Sequence, residues 1–321
     1  MEEKIKVYVP ENVYSTLNRD ADFFEFYKKD RSLNMNDFIN TLIVNYFESY
    51  HEDDTHLYDA IKNILSDDAS DKAGEIITAI KKYQFEYDRK DRAISIKPTR
   101  KSSGIIDYIQ SDCLYNMSLS AYFRNMFSSY CLLAQDKREE IIFRDKFAVI
   151  EKAIEENKNI YFTTSKSKDR HVASPYAIAH SQEELFNYLL CVYNNQVFSF
   201  RLTRLQNLRV LNEPAVFTDE QKEMLEKMRV GAPQFAYNKI EEICVRLTER
   251  GISMYNKMYS YRPKPIKVIK NLYYFDCSAS QIYHYFFRFG RQAEVLYPSN
   301  LKQLFMQDYA NAARTYMPKK G

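Results

Sequence analysis

The chain has 321 residues, 45% of them hydrophobic, enough to bury a sizeable core and to divide into two or more domains. Its 46 Lys and Arg against 43 Asp and Glu leave a formal charge of +3, so any polyanion site must come from local patches rather than a global field. Five dispersed cysteines without a CxxC pair imply reduced thiols in a cytoplasm. No signal peptide is read at the N-terminus, and no apolar run approaches the roughly 18 residues of a membrane span.

Residues 4–10 alternate strictly, which predicts a strand with Ile5, Val7 and Val9 on one face and Lys4, Lys6 and Tyr8 on the other. Helices are expected over about 11–27 and 34–50. The second opens on Asn34 as N-cap, with Phe38, Ile39, Leu42, Ile43, Tyr46 and Phe47 at helical spacing. One strand and two helices cannot close a core, and the chain supplies a second copy. Ile94-Ser-Ile96-Lys-Pro98 repeats the strand, a helix of about 101–112 follows, and Ser118–Tyr130 aligns with Asn34–Tyr46. Between the copies, residues 52–90 begin acidic and carry two helical patterns, about 55–66 and 70–86, read as a solvated connector.

A charged helix of about 136–157 leads into 159–211, where alternating apolar residues predict the short strands of a small half-buried sheet or barrel. A helix over 218–229 precedes Gly231-Ala-Pro233. Strands at 239–247, 271–276 and 293–297 and helices at 279–289 and 299–316 predict a small α+β unit with helices on one face of an antiparallel sheet.

Three resemblances rest on these segments. The N-terminal strand-helix-helix resembles the ribbon-helix-helix family, in which two copies pair their strands. The resemblance implies that Lys4, Lys6 and Tyr8 read the major groove while the N–H groups after Asn34 hold a phosphate. The second copy departs, since its outward residues Ala93, Ser95 and Lys97 are poor at base readout. Segment 159–211 resembles the WYL domain, its triplet standing here as Asn187-Tyr188-Leu189 without the Trp. The surrounding frame is Ile160-Tyr161, Arg170, Pro175 and Phe200-Arg201-Leu202-x-Arg204. That family implies an Sm-like five-stranded β-barrel that binds nucleic-acid strands. The run Phe287–Leu301 resembles the extension that follows such domains.

The expected architecture is α+β and multidomain. It comprises a tandem ribbon-helix-helix region (1–134), a leading helix with the WYL domain (135–230) and an α+β C-terminal extension (231–321). The order of domains resembles the WYL accessory proteins of type VI-D CRISPR systems, bacterial proteins that bind single-stranded RNA and stimulate an RNA-guided nuclease. On that resemblance Arg170, Tyr188, Arg201 and Arg204, with Tyr161, Lys166 and Lys168, form the strand-binding site, and Lys4, Lys6, Tyr8 and Asn34 a weaker one. Arginine takes phosphate bidentately and tyrosine stacks a base at roughly 1–3 kcal/mol. No metal-ligand histidine spacing and no phosphate-binding glycine loop is present in the sequence, so no catalytic residue, metal or cofactor is expected. The partners expected are single-stranded RNA, a CRISPR effector nuclease and a second copy in a homodimer, with no membrane. The alternative is a ribbon-helix-helix transcriptional regulator that binds duplex DNA and senses a strand or nucleotide at its WYL domain.

Overall fold

The computed structural model describes residues 4–65, 72–85, 92–114, 117–165, 167, 169–237 and 242–317. The chain divides into two compact units, Met1–Asp145 and Lys146–Gly321.

In the first unit, β1 (Ile5–Val9) pairs antiparallel with β2 (Arg92–Ile96), setting Ile5 against Ile96 and Val7 against Ile94. The two strand copies therefore pair within one chain. Val7, Val9 and Ile96 are wholly buried, whereas Lys4, Lys6, Ser95 and Lys97 stay exposed, as the alternation requires. Helix α1 (Glu11–Phe23) follows β1, and α2 (Met35–Ile64) starts at Asn34, whose side chain accepts from the Asp37 N–H. The α2 helix runs for 30 residues, so the helices expected at 34–50 and 55–66 are one element. No glycine or proline interrupts it, and the acidic run at Glu52–Asp54 alone does not break a helix. Its far half packs on α3 (Lys72–Gln84) through Asp54 and Lys81, a buried ion pair whose ammonium also donates to the Tyr50 hydroxyl at 2.8 Å. Burial pushes the Asp54 carboxyl above its ordinary range and the Lys81 ammonium below its own, against their mutual attraction.

The second copy continues through α4 (Arg100–Tyr108), a π-turn at Ile109–Cys113 and α5 (Leu119–Leu132), which Ser118 caps by accepting from the Ala121 N–H. Each copy ties down the other's strand from the same aligned helix position. Asn40 of α2 donates to the Lys97 carbonyl at 3.1 Å, and Arg124 of α5 donates to the Tyr8 carbonyl at 2.7 Å. The charged run expected as one helix over 136–157 is two, α6 (Gln135–Ile142) and α7 (Arg144–Glu155), separated at Phe143. The Phe143 ring packs against Phe24 and Phe26, which turns the chain there. Behind α6, Asp20 of α1 is fully buried and accepts two hydrogen bonds from Arg138, at 2.6 and 3.0 Å, and one from the Tyr130 hydroxyl.

The second unit holds two antiparallel sheets. Strands β3 (Lys158–Thr164), β4 (His171–His180), β5 (Asn187–Tyr193), β6 (Gln196–Arg201) and β7 (Leu205–Pro214) lie in the order β6-β5-β4-β3-β7. No ladder joins β6 to β7 among the described residues, so the five strands are recorded as one antiparallel sheet. A 3-10 turn, Leu202–Arg204, joins β6 directly to β7, whose Leu205 pairs with Thr164 of β3. Helix α8 (Asp219–Val230), opened by a Thr218–Gln221 capping box, lies against β4, β5 and β6.

The second sheet has the order β11-β8-β10-β9, with β8 (Ile243–Leu247), β9 (Pro265–Ile269), β10 (Leu272–Phe275) and β11 (Ala293–Tyr297). Helices α9 (Glu249–Lys257), α10 (Ala279–Phe286) and α11 (Ser299–Thr315) share its core of Val245, Leu247, Phe275, Ile282, Tyr285 and Phe286. Helix α9 and strand β9 are additions to the expected elements. A Cβ at Gly251 of α9 would collide with the Gln292 carbonyl, so the glycine serves close approach rather than breaking the helix. Among the described residues no helix is long and apolar enough to cross a membrane.

Removing one partner of a buried ion pair leaves an uncompensated charge, so Asp20→Ala is expected to cost roughly 3–5 kcal/mol of stability. The exposed Glu11–Arg92 pair is screened by solvent, so Glu11→Ala should leave the unfolding midpoint nearly unchanged. Urea unfolding followed by circular dichroism checks both, and equal losses would remove Asp20 from its place in the core.

Candidate nucleic-acid interface

The geometry of the predicted site starts with β5, six of whose seven residues are buried. Tyr188 stands directly opposite Arg201 in the β5–β6 ladder. Its ring is 7% exposed and its hydroxyl donates to Glu184, so it is a wall of the site rather than a free stacking platform. Burial, then the hydrogen bond and charge of Glu184, push its phenol well above the usual range, while Arg201 and Arg204 pull the other way. Glu184 also accepts from the Tyr261 hydroxyl at 3.4 Å, and Glu183 accepts from the Tyr261 N–H. The Arg201 guanidinium lies over the Phe186 ring, 2.9 Å from its centroid.

Arg204 ends the 3-10 turn and is half-buried. Two residues outside the predicted set hold that turn. The Lys146 ammonium donates to the Leu202 and Thr203 carbonyls at 3.2 and 3.0 Å, and the Ser165 N–H donates to the Arg204 carbonyl at 2.9 Å. Tyr188, Arg201 and Arg204 thus form one cluster, fixed by ladder register and backbone hydrogen bonds.

Tyr161 stands apart from Tyr188 along β4, although β3 runs on from Tyr161 to the Arg204 turn, where Thr164 pairs with Leu205. Tyr161 pairs with Val172 at the start of β4, whereas Tyr188 pairs with Ala179 near its end. Seven residues of strand separate them, about 23 Å at roughly 3.3 Å per residue. Arg170 is exposed just ahead of β4. Tyr161 carries a partner that the sequence does not reveal, Arg209, with its guanidinium 4.5 Å from the ring centroid. A bulge places it there: Thr163 pairs with Gln206 but Tyr161 with Arg209, and Asn207 takes a left-handed φ of 53° between them. Without that extra residue Leu208 would face Tyr161. Lys166 and Lys168 lie outside the described residues.

On the ribbon, Lys4, Lys6 and Tyr8 share the exposed face with Ala93, Ser95 and Lys97. The Asn34 side chain already takes the Asp37 N–H, leaving fewer donors at that helix start for a phosphate. Cys191 is fully buried and burial pushes its thiol up, which suits a structural thiol. Among the described residues no group of three or more His, Cys, Asp or Glu is placed to hold a metal ion.

The chain shares this fold, at a TM-score of 0.74 and 21% identity, with a protein of known structure described as CRISPR Cas-related, over 98% of this chain and 94% of that one. The proteasome accessory factor B/C (PafBC) of Arthrobacter aurescens aligns over 72% of this chain and 40% of its own at 14% identity. Its TM-score of 0.29 is too low to define a common fold. No protein-family model matches the sequence, and no curated protein does.

In the unfolded chain Tyr188 ionises near pH 10, and in the fold only above that, so its contribution to stability is fully present below about pH 10 and lost as the pH rises beyond it. Tyr188→Phe should therefore lose less stability than the parent between about pH 8 and about pH 11, read as the shift in urea midpoint. Identical losses would contradict the buried, Glu184-bound phenol.

Proposed function

We propose that the chain is a non-enzymatic, cytoplasmic accessory protein that binds single-stranded RNA and stimulates an RNA-guided, RNA-targeting CRISPR effector. The observation that carries this reading is the likeness in fold, along nearly the whole chain, to a protein described as CRISPR Cas-related. In this reading residues 1–134 are the tandem ribbon-helix-helix region, 135–230 the leading helix and WYL domain, and 231–321 its C-terminal extension. Pairing of β1 with β2, each followed by helices tied to the other's strand, supports the first assignment. The five-stranded antiparallel order with Tyr188 facing Arg201 supports the second.

The mechanism is electrostatic capture. Arg201 and Arg204 supply the charge that meets RNA phosphates, and the turn held by Lys146 and Ser165 keeps them in place without further ordering cost. RNA held this way is concentrated beside the effector. The reading includes a homodimer, with its contact away from the β1–β2 interface, because that pairing is already met within one chain.

A second reading, a duplex-DNA-binding regulator, is favoured by one observation: Lys4, Lys6 and Tyr8 are exposed together on the ribbon. Against it, the opposing strand offers Ala93 and Ser95, which carry little base-reading chemistry.

Titrations with single-stranded RNA, single-stranded DNA and duplex DNA over a salt series separate the two. Single-stranded RNA should bind most tightly. Arg204→Ala should weaken it roughly 10- to 100-fold, the value of a lost charge-assisted hydrogen bond. Preferred binding of duplex DNA, abolished by Lys4→Ala with Lys6→Ala, would overturn the RNA reading in favour of the regulator.

A further inference from the structure

We propose that the bases of the bound strand stack on an aromatic cluster of His171, Tyr193, Phe198 and Phe200, on the face of the five-stranded sheet opposite Arg201. This rests on the reading that the chain binds single-stranded RNA.

The rings that the sequence offers for stacking are already taken. Tyr188 is 7% exposed and bound by Glu184, Phe186 lies beneath Arg201, and Tyr161 lies beneath Arg209. The cluster is different. Successive side chains of a strand alternate, so Phe198 and Phe200 stand on the other face from Arg201. Their ladder partners Cys191 and Leu189 are fully buried, yet Phe198 and Phe200 themselves stay half-open, as do His171 and Tyr193.

The rings are mutually braced. Phe162, fully buried, stacks on His171 at 5.1 Å and meets Phe200 edge-on at 5.0 Å. His171 meets Tyr193 at 4.9 Å, and Phe198 stacks on Phe200 at 5.8 Å. Such a rigid set of π-faces is the platform on which single-strand binders stack successive bases, whatever the sequence.

A second observation points to a ligand. Both ring nitrogens of His171 are screened from solvent and neither has a hydrogen-bond partner. A neutral imidazole carries one donor and one acceptor, and leaving both unmade is costly. A nucleobase entering beside His171 brings an edge with both functions, which an apolar ligand does not. Arg170 is exposed immediately before His171, placed for the phosphate next to the stacked base.

The test uses the full chain and a single-stranded RNA carrying 5-iodouridine, photo-crosslinked and mapped by peptide mass spectrometry. Crosslinks are expected at Tyr193, Phe198 or Phe200. Tyr193→Leu should weaken binding of the RNA roughly tenfold while leaving an abasic strand of equal length unaffected. Phe198→Leu serves as a second variant should Tyr193→Leu lower the thermal midpoint. RNA that binds the parent tightly but crosslinks elsewhere, with both variants binding as the parent does, would overturn the platform and leave the RNA-binding reading standing. No binding of any single strand by the parent would overturn both.

Discussion

The burial of β5 is the constraint on which the candidate site depends. Paired on both edges, with α8 over one face, β5 cannot shift register without moving Leu189, Leu190 and Cys191 out of the core. That fixes Tyr188 opposite Arg201, and through β6 it fixes where the 3-10 turn presents Arg204. The same burial removes Tyr188 from the surface, so the residue that marks the site in the sequence is its support. Glu184 completes the arrangement by holding Tyr188 and Tyr261 with one carboxylate, joining the first sheet to the loop after α9.

The first unit meets a different constraint. A strand with two helices exposes half a core, and the second copy covers it from within the same chain. The copies are no longer equivalent. Asn40 in one and Arg124 in the other perform the same strand-tying task with different chemistry, and the exposed ribbon face is basic along β1 but small and polar at Ala93 and Ser95. Two buried ion pairs, Asp20–Arg138 and Asp54–Lys81, sit where helices from separate segments meet. Removing one partner of either pair would leave a buried charge uncompensated.

Much of this was legible in the sequence wherever one residue type had one physical use. Asn34 and Ser118 mark helix starts because their side chains cap, and Val7 and Val9 mark a buried face because a strand alternates. The repeat exposed the need for a partner strand, though not that β2 supplies it in cis. What escaped depended on tertiary context. The acidic run at Glu52–Asp54 suggests a connector, yet α2 continues through it, with no glycine or proline to stop it, and buries Asp54 against Lys81. Strand β9 carries Ile266 and Val268 exposed at a sheet edge, so no buried face shaped its pattern. Arg209 reaches Tyr161 through a bulge at Asn207 that no alternation rule anticipates.

Hydrogen–deuterium exchange of the full chain with and without a single-stranded RNA tests the central claim most directly, since it locates binding without altering a residue. The account predicts slowed exchange across β5, β6 and the Leu202–Arg204 turn. Slowing confined to β1 and β2, with the second unit unchanged, would contradict it.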